Sequence, residues 1–266
     1  MYFEVENGKI VFKPVPQIKP LNQGEVLIER YACGICRSDV GVYDGRESIP
    51  PGMFGHEAIG TVISSRSEYF TEGQYVASFW HPGYADFFVA HESKCVEIPE
   101  LSPKYTVVQP LACVLNALDF AEGRTLLIGR GFTAQLAMMA VSEYPNIVLI
   151  TEDELLSGEI FDSVLEMSGR GLPDTNLFKD EANLIWFSTL QSPTTTNFFE
   201  WSWKALRVFF PSPRQSVMDL NMGLAVRILQ EKTPPITHIF NFENAPMAFE
   251  IASKRLDGYL KGVLKK

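Results

Sequence analysis

The chain has 266 residues, enough for one large domain or two modest ones. Hydrophobic residues make up 46% and charged residues 21%, the composition of an ordinary soluble globular protein. A net charge of -9 argues against nucleic acid or an anionic membrane surface as the main partner. No apolar run is long enough to cross a bilayer, and the acidic, alternating opening "MYFEVENGKIVFKPV" is unlike a signal peptide. Cys33, Cys36, Cys95 and Cys113 are too few to frame a chain of this size with disulfides, so a reduced, cytoplasmic protein is expected.

Up to Ala90 the chain reads as short strands. "KIVFKPV", "EVLIERYA", "AIGTVIS", "QYVASFW" and "ADFFVA" are β-rich and separated by Gly, Pro, Asn or Asp. The pattern then changes. "TVVQPLACVLNALDFA" has apolar residues at helical spacing. "TLLIGRGFTAQLAMMAVSEYPNIVLIT" reads strand, Gly turn, helix, strand, which is one βαβ unit. "FDSVLEMSG" and "ANLIWFST" suit buried parallel strands, and "KALRVFF" is a further strand. "SVMDLNMGLAVRILQE" is an amphipathic helix, and the tail after it reads strand, helix, strand. A β-rich part, an α/β part and a return to the first predict two domains, with a ligand cleft at their junction.

Two stretches carry candidate chemistry. Cys33, Cys36, Asp39, His56 and Glu57 fall within one short span. Thiolate and imidazole suit zinc, and a catalytic zinc keeps three protein ligands and one open position. From spacing alone, a buried free cysteine and a satisfied core histidine are the simpler reading. The second stretch, "LLIGRGFTA", places Gly129, Gly131 and Ala134 after an apolar strand and before a helix. Such glycines permit a tight turn and close approach of a pyrophosphate to the helix N-terminus, although a plain βα turn has the same outline.

The segments "GICRSD", "GHEAIGTV", "GQYVA", "GYADFFVA", "QPLACVLNAL", "IGRGFTAQLAMMA" and "PPITHIFNFENAPMAFEIA" occur in one order along almost the whole chain. In that order they resemble the zinc-containing medium-chain dehydrogenase/reductase family of alcohol, sorbitol and threonine dehydrogenases. The resemblance implies an α/β fold in two parts. Residues 1–115 and 212–266 would form a GroES-like, β-rich catalytic domain, and residues 116–211 a reduced Rossmann-type, doubly wound parallel sheet. It makes Cys36 and His56 zinc ligands, Glu57 a near neighbour and occasional ligand, and Ser38 part of the proton path. Asp39 would hold the His56 imidazole, a frequent arrangement for a ligating histidine, or else cap a turn or helix. Arg130, Phe132 and Thr133 fill the glycine turn, and Ser168, Gly169 and Ser188 would lie near nicotinamide. Glu152 would bind the adenosine ribose, which favours NAD over NADP unless "TEDE" is only a solvated acidic loop.

This chain departs from the family in three places. Gln109 stands where sorbitol-type members have a glutamate ligand. Cys113, a turn further on, is the residue that could replace it, unless it is a small core residue. No cluster of four cysteines follows "GQYVASFW", so one zinc and no structural zinc is expected, with Trp80 and His81 near the substrate pocket or in an ordinary loop. Between Thr151 and Phe161 the family's helix, third strand and second helix are replaced by "EDELLSGEI". Extended, these residues reach about 30 Å, enough to return along a strand, whereas a helix of that length spans about 13 Å. The third strand is an edge strand in the usual order, so the sheet can close without it. The last strand, within residues 204–210, suggests a homodimer across its edge, or a loop that covers it. The expected activity is zinc-dependent transfer of hydride between a small-molecule alcohol, polyol or sugar derivative and NAD(H). Non-redox zinc chemistry and a non-catalytic binding protein are the alternatives.

Overall fold

The computed structural model describes residues 1–46, 54–79, 82–188, 198–211 and 218–266, the side chains of 218 and 219 excepted. Trp80 and His81 lie outside these described residues. The chain divides into two units, Met1–Pro110 with Met222–Lys266, and Leu111–Asn221.

The first unit opens with β1 (Tyr2–Glu6) and β2 (Lys9–Lys13), a hairpin closed by Asn7 and Gly8 at φ 50° and 71°. Asn-Gly is the pair that tolerates two successive positive φ angles, and it matches the twist of the strands. There follow β3 (Glu25–Ile35), α1 (Arg37–Tyr43), β4 (Ala58–Ser65), β5 (Tyr75–Ser78), β6 (Phe87–His91) and β7 (Cys95–Glu97). Helix α2 (Val108–Leu118) leads into the second unit, which holds β8 (Gly123–Ile128), α3 (Phe132–Ala140), β9 (Ile147–Thr151), β10 (Phe161–Glu166), β11 (Phe178–Trp186), α4 (Phe198–Trp203) and β12 (Arg207–Phe209). Helix α5 (Met218–Glu231) leads back, and β13 (His238–Asn241), α6 (Ala245–Lys254) and β14 (Gly262–Lys265) complete the first unit.

In the first unit the sheet runs β13-β14-β3-β4-β5-β7, with β6 also paired to β3. Strand β3 is its spine. Burial alternates along its first half, one face on the core, and its last four residues are all buried. The core is rich in aromatic rings, with Phe3 stacked on Tyr84 at 4.6 Å and Phe249 of α6 edge-on to both.

The second unit is a five-stranded, all-parallel sheet in the order β12-β11-β10-β8-β9. Residues 152–160 form turns with no helix, and β9 is left as an edge strand, as the length of that link requires. Strands β10 and β11 are buried along most of their length, whereas β9 is mostly half-covered. Val148 on β9 is 55% exposed and Leu156 beyond it 68%. Cys33, Cys36, Cys95 and Cys113 are all free.

Candidate metal centre and dinucleotide turn

The register of one strand pair builds the metal group. Strands β3 and β4 run antiparallel with Cys33 opposite Ala58, and Gly34 N–H donates to the Glu57 carbonyl at 3.0 Å. The residues just after β3 therefore meet the residues just before β4. Cys36 is the N-cap of α1, and His56 and Glu57 precede β4. One donor atom from each of Cys36, His56 and Glu57 lies within 4.8 Å of the others. This is the one such metal-ligating group of His, Cys and carboxylates among the described residues.

Each member has a local cause. Asp39 stands at the third position of α1, where its carboxylate accepts Cys36 N–H at 3.0 Å and fixes the start of the helix. The same carboxylate accepts Gly55 N–H at 3.1 Å and the Tyr84 hydroxyl at 2.8 Å, and its Oδ1 lies 3.9 Å from His56 Nδ1. Asp39 is thus a helix-capping residue, and its carboxylate stands beside the imidazole at more than hydrogen-bond distance. Burial pushes its carboxyl up from the usual range, an effect that His56 opposes. Burial alone would disfavour a charged His56, but Cys36, Asp39 and Glu57 around the ring outweigh it and push it up to about 10. A buried ring ringed by anionic groups is a place for a cation.

Glu57 is held from far away in sequence. Strand β14 pairs with β3 so that Gly262 faces Ile35, which brings Lys261, 204 residues from Glu57, against its Oε2. Lys261 Nζ also donates to the Ile35 carbonyl at 3.1 Å. Gly34 leaves the room, since a Cβ there would stand 2.0 Å from Glu57 Oε2. The other oxygen, Oε1, is buried without a hydrogen-bond partner. A buried carboxylate oxygen left open beside a thiol and an imidazole fits zinc. Gln109 is buried near the start of α2, Ser38 is half-buried on the first turn of α1, and Cys113 is half-buried further along α2.

The candidate dinucleotide turn lies between β8 and α3. Gly129 has φ 129°, and a Cβ there would come within 3.0–3.1 Å of the Met167 and Ser168 backbone. Only glycine lets this turn pass so close to the end of β10. Gly131, the N-cap of α3, has nothing within 4 Å of its missing Cβ. Arg130 is exposed, Phe132 and Thr133 are half-buried, and Ala134 is buried against the sheet. Glu152, just past β9, accepts Gly129 N–H at 2.9 Å. Ser168 and Ser188 both converge on Glu166. The Ser168 hydroxyl and the Ser168 and Gly169 N–H groups donate to its Oε1 at 2.5, 2.8 and 2.9 Å, and the Ser188 hydroxyl lies 3.5 Å from its carbonyl. Glu166 is fully buried, and its Oε2 has no hydrogen-bond partner. Sequence reading missed this residue. Its signal was an acid at the carboxyl end of a buried parallel strand, where ligands of such sheets bind.

Residues 22–139 match the family described as the alcohol dehydrogenase GroES-like domain. The alcohol dehydrogenase patD of Aspergillus clavatus is 29% identical over 89 residues, which is 31% of this chain and 22% of that relative. The chain thus matches about a fifth of the length of that curated relative. Among solved structures, a protein of Sinorhizobium meliloti 1021 named as a zinc-binding dehydrogenase, bound to NADP, superposes with TM-score 0.79 at 19% identity, covering 100% of this chain and 98% of that one. Galactitol-1-phosphate dehydrogenase of Escherichia coli gives TM-score 0.75 at 18% identity over 97% and 96% of the two chains. The 2R,3R-butanediol dehydrogenase of Bacillus subtilis gives 0.75 at 14% identity over 100% and 99%. These likenesses establish the fold: a GroES-like domain joined to a Rossmann-like parallel sheet.

Proposed function

We propose that the protein is a zinc-dependent oxidoreductase that moves hydride between a small alcohol, polyol or sugar derivative and NAD(H). One observation carries this reading: Cys36, His56 and Glu57 converge, with a buried oxygen of Glu57 left open. When bound there, zinc supplies a Lewis acid that polarises the substrate oxygen and eases loss of its proton. Cys36 and His56 hold it, Glu57 offers a third donor, and Gln109 takes the place of the expected ligand on α2. Asp39 keeps the His56 ring oriented, and Tyr84 keeps Asp39 oriented through its 2.8 Å hydrogen bond. Ser38 passes the substrate proton outward. The turn from Gly129 through Ala134 seats the pyrophosphate, Glu152 meets the adenosine ribose, and Ser168 and Ser188 lie toward nicotinamide. One zinc per chain is in keeping with the single group of donors among the described residues.

No helix among the described residues is long and apolar enough to cross a membrane, and the proposed setting is the cytoplasm. Strand β12 is an edge of its sheet and Phe210 just beyond it is 68% exposed, which supports a homodimer through that edge. The edge position of β9 favours a second reading, zinc-assisted elimination, hydration or isomerisation without net redox chemistry.

The test is metal analysis and an alcohol and polyol screen on wild type and Cys36→Ala, with NADH binding followed by nicotinamide fluorescence. The reading expects about one zinc per chain and turnover, both lost in the variant. Turnover retained in Cys36→Ala overturns it. Turnover that needs no dinucleotide favours the second reading.

A further inference from the structure

Glu152 stands where an acid meets the adenosine ribose of a dinucleotide and, unpaired, repels a 2′-phosphate. Here it is not unpaired. Arg170 Nη2 donates to both of its oxygens, at 2.5 and 2.7 Å. Arg170 comes neither from β9 nor from the glycine turn. It follows β10 on the loop that Glu166 pins through Ser168 and Gly169. Arg130, inside the turn, pairs with Asp153 in the same neighbourhood. The end of β9 therefore carries two acids and two guanidinium groups rather than an acid alone.

The Arg170 pair is not needed to hold the fold. Arg170 is 65% exposed, and an exposed pair contributes little to stability. Glu152 is anchored separately by Gly129 N–H. What the pair does change is charge. It cancels Glu152, and it leaves the Nε and Nη1 donors of Arg170 without a partner among the described residues. A guanidinium with open donors is a phosphate ligand.

We propose that Arg170 sets the dinucleotide specificity of this protein, by neutralising Glu152 and donating to a 2′-phosphate, so that NADPH is accepted as well as NADH. The inference rests on the dinucleotide reading of the Gly129–Ala134 turn. Glu152 by itself makes a site for NAD; Arg170, supplied by the loop after β10, removes that discrimination.

The experiment is fluorescence titration of the full chain with NADH and with NADPH, for wild type, Arg170→Gln, Glu152→Gln and Arg130→Gln. All three changes lie on exposed or half-exposed side chains, so the fold is retained. Wild type binds both dinucleotides with dissociation constants within about tenfold of each other, the range that one cancelled charge sets. Arg170→Gln weakens NADPH at least about tenfold relative to NADH, and Glu152→Gln shifts the ratio the other way. Rising salt weakens NADPH more than NADH in wild type, and this excess disappears in Arg170→Gln. An unchanged NADPH-to-NADH ratio in Arg170→Gln, with NADH still bound, overturns this inference alone. A ratio that moves with Arg130→Gln and not with Arg170→Gln overturns the assignment to Arg170. Binding of neither dinucleotide by wild type overturns this inference together with the dehydrogenase reading.

Discussion

The two units differ in how much each can lose. The first hangs its metal group on the spine of its sheet. Cys36 follows β3, His56 and Glu57 precede β4, and Lys261 precedes β14, which pairs with β3 on the other side. Removing any of these strands would dismantle the group. The second hangs its turn on β8 and β10, which lie in the middle of the sheet, while β9 has become the edge. A strand outside β9 can be absent without moving Gly129, Glu166 or Ser168. A sheet of this order can lose an outer strand without disturbing the ends of its central strands.

The sharpest test of the first unit is Asp39→Asn. The amide keeps the size of the side chain but loses the charge that faces His56, and changes to such supporting groups cost about 10–100-fold in metal affinity. Competition with a chelating dye measures it. Unchanged zinc affinity would mean that Asp39 is only a helix cap, and the first unit would then resemble the second in resting on backbone alone.

The second unit is probed by its two glycines. Gly129→Ala places a Cβ 3.0 Å from the Met167 backbone at φ 129°, and strain of this kind costs on the order of 1–3 kcal/mol. Gly131→Ala meets nothing within 4 Å and leaves stability unchanged while weakening NADH. Thermal melts and NADH titration on both variants separate a packing glycine from a ligand-facing one. Equal melting temperatures for the two would show that the turn is not pressed against β10.

What the sequence made legible follows the same division. The β-rich part, the βαβ unit and the return were readable because their periods and turn residues are local. The absent third strand was readable from arithmetic, since residues 152–160 are too few for helix, strand and helix. Cys36, His56 and Glu57 could be named from the wording of two short segments. Lys261 could not, because only the pairing of β14 with β3 brings it to Glu57 across 204 residues. Glu166 was hidden for a different reason. In "FDSVLEMSG" it is one acid at the end of an apolar run, and nothing local shows that Ser168 and Gly169 fold back on it. Arg170 and Glu152 lie on different loops, and their pairing belongs to the tertiary structure. Short elements escaped as well: β1, β7, α1 and α4 are too brief for their periodicity to stand out.

Acidity gives a smaller and graded effect. Without metal, His56 is held up to about 10 and is protonated at neutral pH. Zinc takes the neutral imidazole, so uptake releases that proton. The raised ring holds its proton until pH climbs past its own value. Displacing that proton makes affinity for zinc rise with pH below that value. Isothermal titration in buffers of different ionisation enthalpy counts the protons released. Affinity that stays flat between pH 6 and pH 9 would remove His56 from the ligand set.

The smallest effect tests whether the shortened edge is finished or raw. Val148 on β9 is 55% exposed and Leu156 in the following turn is 68% exposed. If these side chains once faced a wall that is now absent, they bury too little surface for polar replacement to matter. Val148→Thr and Leu156→Ser then each change stability by less than about 0.5 kcal/mol, the ordinary range for surface substitutions. Val164→Ala, at a fully buried position of β10 one strand beyond β8, costs several times more because it empties a packed site. Chemical denaturation of the three variants makes the comparison. A large loss on Val148→Thr would mean that something covers β9 in solution, and a second copy of the chain would be the first candidate. That outcome would put the proposed subunit contact at the edge opposite β12, and the loss would then depend on protein concentration.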